Sequence, residues 1–378
     1  MSSRSVLAVL AAALPLGAWA AEPAPAEAPP VVRPKPGVTQ ILGPTGDGVH
    51  PLRGARGLAL DAKGNLYVAG HGTNNVFRVS PSGRIEQLID GSGDGQTRLV
   101  GPIDVAVDPG GNLYVLGQTS RNVFRRTPSG EIRQILDATG NSTRTKVIHP
   151  NHLDVDARGN VYVSARNAVF RVDPEGRASI AINEAGDRKG HKLMRPNGIH
   201  VTADGTVFVV GARSDNAFRR TPDGAVTQIA DPVAAGGARK LWFPNGISAD
   251  GAGNAYIAGN NSGNILRVTP QGEVTEIVGP VFEGRALGAC SDVEVLPDGN
   301  VFFTRLGARA AWWLTPAGRL TELIDANGAG PGQMLKSARG IAADGKGNVY
   351  VSGAGSHNVF RVRLDALEAA PETPEKQK

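Results

Sequence analysis

The sequence predicts an all-β fold: a seven-bladed β-propeller of four-stranded antiparallel blades, with the last blade closed by the N-terminal strand. Three observations carry this. First, Ile103–Asp137 (IDVAVDPGGNLYVLGQTSRNVFRRTPSGEIRQILD) alternates apolar and polar residues in four runs, separated by the turn signals DPGGN, QTSRN and TPSG. Period-2 runs bounded by Gly, Pro, Asn and Asp are short antiparallel strands. Second, the unit recurs. The position after its first strand is Asp61, Asp108, Asp156, Thr202, Asp250, Leu296 and Asp344, at spacings of 47, 48, 46, 48, 46 and 48 residues. A four-stranded meander repeated at fixed spacing is a propeller blade. Third, the last unit stops after its third strand at Val362, and the missing fourth strand stands at the other end of the chain as Pro36–Leu42. Pairing the two removes a pair of open sheet edges.

In chain order, residues 1–20 read as a signal peptide. Arg4 supplies the positive start, Val6–Leu16 is apolar, and Ala18-Trp19-Ala20 gives a small-x-small cleavage pattern before Ala21. The apolar run is too short to span a bilayer as a helix. The expected location is therefore periplasmic or secreted, with no transmembrane segment in the mature chain. Residues 21–35 form a linker, because the six prolines of Ala21–Pro36 cannot donate to a ladder. Residues 36–362 hold the propeller. Residues 363–378 form a tail that starts as a short helix over Leu364–Ala370 and ends in the polar PETPEKQK.

Within the blades, the second strand recurs as NLYVAG (65–70), NLYVLG (112–117), NVYVSA (160–165), TVFVVG (206–211), NAYIAG (254–259), NVFFTR (300–305) and NVYVSG (348–353). The third strand carries Arg78, Arg125, Arg171, Arg219, Arg267 and Arg361. These arginines are read as one structural hydrogen bond or salt bridge per blade rather than as a ligand ring, since the guanidinium is a planar multi-donor. The Asp that ends the first strand is read as a turn former.

Composition narrows the function classes. The 50 glycines suit a chain with several turns per blade. The net charge of +5 is spread along the sequence without a basic block, and five Tyr with four Trp form no stacking ladder, so nucleic acid is not the expected partner. Cys290 is the sole cysteine, so no internal disulfide staples the ring and stability must come from packing and ring closure; the expected state is a monomer.

The units resemble NHL repeats, with a glycine-rich approach loop (DGSGDGQTRLVGP at 90–102, DANGAGPGQ at 325–333) before a strand such as GIAAD at 340–344. More distantly, the chain is similar to the streptogramin lyase and gluconolactonase/SMP-30-like propellers. The gluconolactonase-like group is usually six-bladed, so the count of seven argues somewhat against it. Such resemblance implies fold and leaves binding modules, lyases and lactonases open.

The copies act as controls for one another, and departures from the repeat mark candidate functional positions. At the entry to the first strand stand Arg56, Ile103, Asn151, Asn197, Asn245, Ser291 and Arg339. The resemblance to gluconolactonase-like enzymes, in which a Pro-Asn-Gly places its Asn as a divalent-metal ligand at the channel mouth, carries to Asn151, Asn197 and Asn245. A hard cation also wants carboxylates, and this ring has none. The next rings are Gly57, Asp104, His152, Gly198, Gly246, Asp292, Gly340 and then Ala59, Ala106, Asp154, His200, Ser248, Glu294, Ala342. Asp104, Asp154 and Asp292 join the Asn residues as candidate ligands for calcium, zinc or magnesium. His152, His200 and Glu294 are candidate acid–base groups. The alternative is that these groups satisfy one another, or water, in a wet axial tunnel.

Blade six departs most, with Arg305 where most copies have Gly, Arg309, and Trp312-Trp313 in the third strand. Two aromatics and two arginines suit an exposed contact for a ligand or partner, and equally a repacked blade. Cys290 has no nucleophile signature. The start of a calcium loop at Asp90-x-Ser92-x-Asp94-Gly95 has Gly101 at its twelfth position, which does not support an EF-hand. The expected function is a binding module for a protein, glycan or small ligand. The alternative is a divalent-metal-dependent lyase or lactonase at the channel mouth.

Overall fold

A computed structural model describes residues 34–232 and 241–369. The signal peptide and nearly all of the linker expected from the sequence lie outside the described residues, as does the end of the tail. Seven four-stranded antiparallel sheets form the blades. Blade one is built from Ala55–Leu60, Leu66–Gly70, Asn75–Val79 and Ile85–Ile89. The first strands of the next five blades are Pro102–Val107, Pro150–Val155, Pro196–Val201, Pro244–Ala249 and Cys290–Val295. Blade seven joins Ala338–Ala343, Asn348–Gly353 and Asn358–Arg363 to the N-terminal strand Val38–Leu42, with Val38 opposite Val362 and Thr39 opposite Arg361. The ring is thus closed by the chain's own start, as the truncated last repeat predicts. A short helix, Leu364–Glu368, follows.

The first strands of successive blades are neighbours around the axis, and that of blade one meets that of blade seven. They form the inner wall. The second strands are buried along their whole length, for instance Leu113–Gly117, because both faces of each blade are covered by the blades beside it. The core accordingly lies between blades. Phe170 of blade three packs with Leu116 and Val123 of blade two, and Phe77, Phe124, Phe170, Phe218 and Phe360 are fully buried at one repeated place in the third strand. Each such ring removes apolar surface worth about 2–3 kcal/mol from water.

Turn chemistry explains the repeated Asp. Asp108 accepts the backbone amide and side-chain amide of Asn112 at 2.9 and 2.8 Å and the hydroxyl of Tyr114 at 3.0 Å. Asp61 and Asp250 repeat the set with Asn65 and Tyr67, and with Asn254 and Tyr256. The third-strand arginines stand opposite the second-strand aromatics, Arg78 opposite Tyr67 and Arg125 opposite Tyr114. Arg78 bonds Glu86 at 2.7 Å and Arg171 bonds Asn160 at 2.7 Å, a structural use. In the 90–102 loop, Gly93 has a φ of 65° and any side chain there would collide with the carbonyl of Thr97, so the turn requires glycine. Asp94 accepts the amides of Thr97 and Gln134. This carboxylate therefore organises the turn.

Candidate functional site

Each inner strand carries a register shift near its start, as between Pro102 and Asp104, Pro150 and His152, and Cys290 and Asp292. A bulge of this kind re-aims side chains. It brings the entry ring and the following ring to the same axial opening, so Arg56, Asp104, His152, Asn245, Asp292 and Arg339 surround one cavity of about 80 Å³. Crowding at the axis explains the glycines that alternate with them. A Cβ on Gly57 would strike Asp104, and one on Gly340 would strike the carbonyl of Arg56.

The aspartates of the wall are engaged. Asp104 accepts the amides of Val105 at 3.0 Å and of Leu153, in the next blade, at 3.0 Å. Asp154 accepts the amides of Val155 and of Val201, again one blade on, at 2.8 and 2.7 Å. Asp292 accepts those of Val293 and of Ile341 at 3.0 and 3.3 Å. Ser248 makes the equivalent bond with the amide of Val295 at 3.3 Å. Hydroxyls of the second strands face the other way across the same seams: Ser352 donates to the carbonyl of Arg56 at 2.7 Å and Thr304 to that of Arg339 at 2.8 Å. These side chains stitch neighbouring blades together.

The three Asn side chains do similar work. Asn197 donates to the Oδ1 of Asn245, Asn245 donates to the carbonyl of Ser291 at 2.7 Å, and Asn151 donates to that of Pro196 at 3.1 Å. Among the described residues, no group of three or more His, Cys, Asp or Glu is arranged to hold a metal ion. With the aspartates turned to backbone amides, Asn245 Oδ1 occupied, and Arg56 and Arg339 on the same cavity, these residues do not make a donor set that fits a hard divalent cation.

Two histidines and three acids remain as titrating groups. His152 Nδ1 lies 3.3 Å from Asp104 Oδ2. Burial works against its charge, but the carboxylates of Asp104 and Asp292 outweigh burial and raise its pKa. His200, two residues deeper along its strand, is pushed down to about 4 by burial, and its Nδ1 is 3.7 Å from Asp154 Oδ2. Burial raises Asp154 to about 7 and Asp292 to about 6. Burial, with the neighbouring Asp292 and Asp154, raises Glu294 to about 8. His200 and Asp154 still keep 26% and 27% of their side-chain surface open to the channel, so both remain reachable from it.

The patch expected on blade six is corrected. Arg305, Trp312 and Trp313 are buried, and of the four residues proposed there only Arg309 is exposed. Trp312 faces blade five, where it packs with Tyr256 and, within its own blade, with Cys290, and Trp313 faces blade seven, where it packs with Ile341 and Phe360. Arg305 lies over the ring of Phe303 and donates from Nη1 to the carbonyls of Gly263 and Gly288. Both faces of this strand are covered by neighbouring blades, so the paired tryptophans fill two blade interfaces. Cys290 is buried, and burial raises its thiol to about 11, which leaves it an inert core residue.

Beside the channel mouth, on the face from which the inner strands enter, lies a cleft of about 570 Å³ over blades three and four. Asn151 and Gln118 border it on the axial side, and Arg166, Arg195, Arg213 and Glu184 share it with Ile148 and Met194. Apart from Asn151, none of these residues was a candidate on the sequence, because they lie in loops between the inner strands. One signal was present: the residues before Pro150, Pro196 and Pro244 are His149, Arg195 and Phe243, all in left-handed backbone with φ of 43°, 54° and 51°.

Residues 91–286 match the SMP-30/gluconolactonase/LRE-like region, and the chain belongs to that family. No curated protein matches the chain. Among solved structures, a streptogramin B lyase has a TM-score of 0.67 at 15% identity, covering 87% of this chain and 98% of its own. An inactive virginiamycin B lyase from Staphylococcus aureus with quinupristin has a TM-score of 0.66 at 17% identity, covering 86% and 99%. The extracellular domain of a hybrid two-component system from B. thetaiotaomicron has a TM-score of 0.66 at 13% identity, covering 91% of this chain and 45% of that one. At these identities the likeness is one of fold. No helix among the described residues is long and apolar enough to cross a membrane.

Proposed function

We propose that this chain is an exported, monomeric propeller of NHL-type blades that works as a binding module for a small molecule or glycan. The ligand seats in the cleft over blades three and four and reaches the channel mouth. The observation that carries this reading is the cleft itself. Its volume of about 570 Å³ and its mixed lining of Arg166, Arg195 and Arg213 with Ile148 and Met194 suit a ligand with both polar and apolar surface. Extracellular sensing domains share the fold, in keeping with the leader read at residues 1–20. The test is calorimetric screening of a library of sugars, sugar acids and small metabolites against the mature protein and an Arg166→Ala/Arg213→Ala variant. A ligand bound by the parent and lost in the variant supports the reading. A library without a binder, or ligands held equally by both, overturns it.

A second reading is a lyase or lactonase. It is favoured by the pairing of His152 with Asp104 at 3.3 Å, which can orient an imidazole for proton transfer at the channel mouth. In that case turnover of a lactone or a lyase substrate disappears in His152→Ala. No turnover in the parent removes this reading.

A further inference from the structure

We propose that Arg56 and Arg339 form an oxyanion subsite at the mouth of the axial channel, which takes a carboxylate or phosphate group of the ligand. This rests on the binding reading above and specifies the ligand's chemistry.

The two residues stand at equivalent entry positions of blades one and seven, whose inner strands touch. Both guanidinium groups line the same cavity. Neither has a hydrogen-bond or ion-pair partner among the described residues; the Nε of Arg339 is closed off from solvent without one, as are those of Arg305 and several third-strand arginines, but here the whole guanidinium lacks a partner. Contrast Arg78 on Glu86 and Arg171 on Asn160, or Arg305 on two carbonyls. A pair of like charges held together and shut partly away from water costs free energy unless something answers it. Burial, together with the charge of Arg339, lowers the pKa of Arg56.

The acids of the same cavity do not answer the pair. Asp104 and Asp292 lie one residue further along their strands, and each spends its two oxygens on backbone amides. An oxyanion bound between the guanidinium groups would sit above these carboxylates, on the solvent side. The cavity of about 80 Å³ holds roughly two to three waters at liquid density. This is room for one oxyanion headgroup. The remainder of the ligand must then lie outward on the face that also bears the cleft. Gln118 connects the two regions, since it borders the cleft and bonds the side chain of His71, a residue near Arg56. Guanidinium groups are the natural partners of such oxyanions, through charge-assisted and often bidentate hydrogen bonds.

The test is calorimetric titration of the mature protein with inorganic phosphate and, separately, acetate at constant ionic strength. The variants are Arg56→Gln, Arg339→Gln and Arg339→Lys, with circular dichroism to confirm folding. Saturable binding of either anion, weakened about tenfold or more in each Gln variant and largely kept in the Lys variant, supports the subsite. Which anion binds tells a phosphate-bearing from a carboxylate-bearing ligand. Absence of saturable binding, or equal binding by folded Gln variants, overturns it. If the Gln variants unfold, the Arg213→Ala variant decides: anion binding kept in Arg213→Ala and in Arg339→Lys supports the subsite, and binding lost in Arg213→Ala overturns it. The wider binding reading fails separately, when no library compound binds the cleft.

Discussion

The Oδ2 atom of Asp154 accepts the backbone amide of Val201 at 2.7 Å, so a channel carboxylate of blade three fastens the inner strand of blade four. Its other oxygen holds the amide of Val155. Removing the carboxylate leaves two amides short of an acceptor inside the ring. Asp154→Ala is expected to destabilise the protein by about 1–3 kcal/mol, measured as a lower urea midpoint. A variant as stable as the parent would show that the bond contributes nothing net.

The same engagement of side chains bears on metal. With Asp104, Asp154 and Asp292 each on two backbone amides and Asn197 on Asn245, the expected effect of chelation is nil. Dialysis against EDTA should leave the melting temperature of the mature protein unchanged. A drop of several degrees, reversed by calcium, zinc or magnesium, would put a cation back among these residues.

The channel acids predict a pH dependence whose sign follows from their shifts. Asp292 near 6, Asp154 near 7 and Glu294 near 8 all titrate above ordinary carboxyls, so the folded state keeps protons that the unfolded chain has released. Stability then falls as pH rises through these values. His200, lowered to about 4, acts oppositely, but its contribution is complete once the unfolded imidazole loses its proton near pH 6.5. His152, raised above the ordinary imidazole range, adds to the loss, so from about pH 6.5 to 8.5 it and the carboxyls act together and the urea midpoint should decline. Glu294→Gln removes the highest of them and should flatten the decline. An unchanged slope in that variant would remove Glu294 from the account.

The tryptophans of blade six separate stability from binding. Trp312 fills the interface with blade five and packs edge-to-face on Phe282 with centroids 5.9 Å apart. Trp312→Ala should cost about 3–5 kcal/mol while any ligand bound by the still-folded variant is held as well as by the parent. Loss of binding without loss of stability would restore these residues to a contact surface.

How much of this was legible in the sequence depends on what each residue faces. The blade count and the closing strand Val38–Leu42 were readable because repeat spacing and a missing strand are matters of order along the chain. The turn role of Asp61, Asp108 and Asp250 was readable for the same reason. Trp312 and Trp313 were open to misreading because period 2 separates the faces of a strand without saying whether either meets water. The channel rings were found residue by residue, but the bulge at Pro102–Asp104 was not visible. Without it, Arg56 and Arg339 could not be placed on one opening with Asp104. The cleft residues Arg166 and Arg213 belong to loops outside the strand pattern, and only folding brings them together.

A last expectation concerns the left-handed residues at the entrance to the inner strands. Blades one and two put glycine there, Gly54 and Gly101, with φ of 65° and 62°. Blades three, four and five put His149, Arg195 and Phe243 in the same conformation, where a β-carbon costs about 1–2 kcal/mol. The backbone accepts glycine at this place, as the first two blades show, so the side chains are retained against local stability. His149 and Arg195 border the cleft, and the guanidinium of Arg195 lies 5.0 Å over the ring of Phe243. Under the binding reading, these side chains form part of the wall the ligand touches. His149→Gly should therefore raise stability by about 1 kcal/mol and weaken ligand binding, the two effects read on one sample by urea unfolding and calorimetry. A variant that gains stability and binds as before would show that the strained side chain is not a ligand contact. One that loses stability would show that His149 packs better than its backbone geometry suggests.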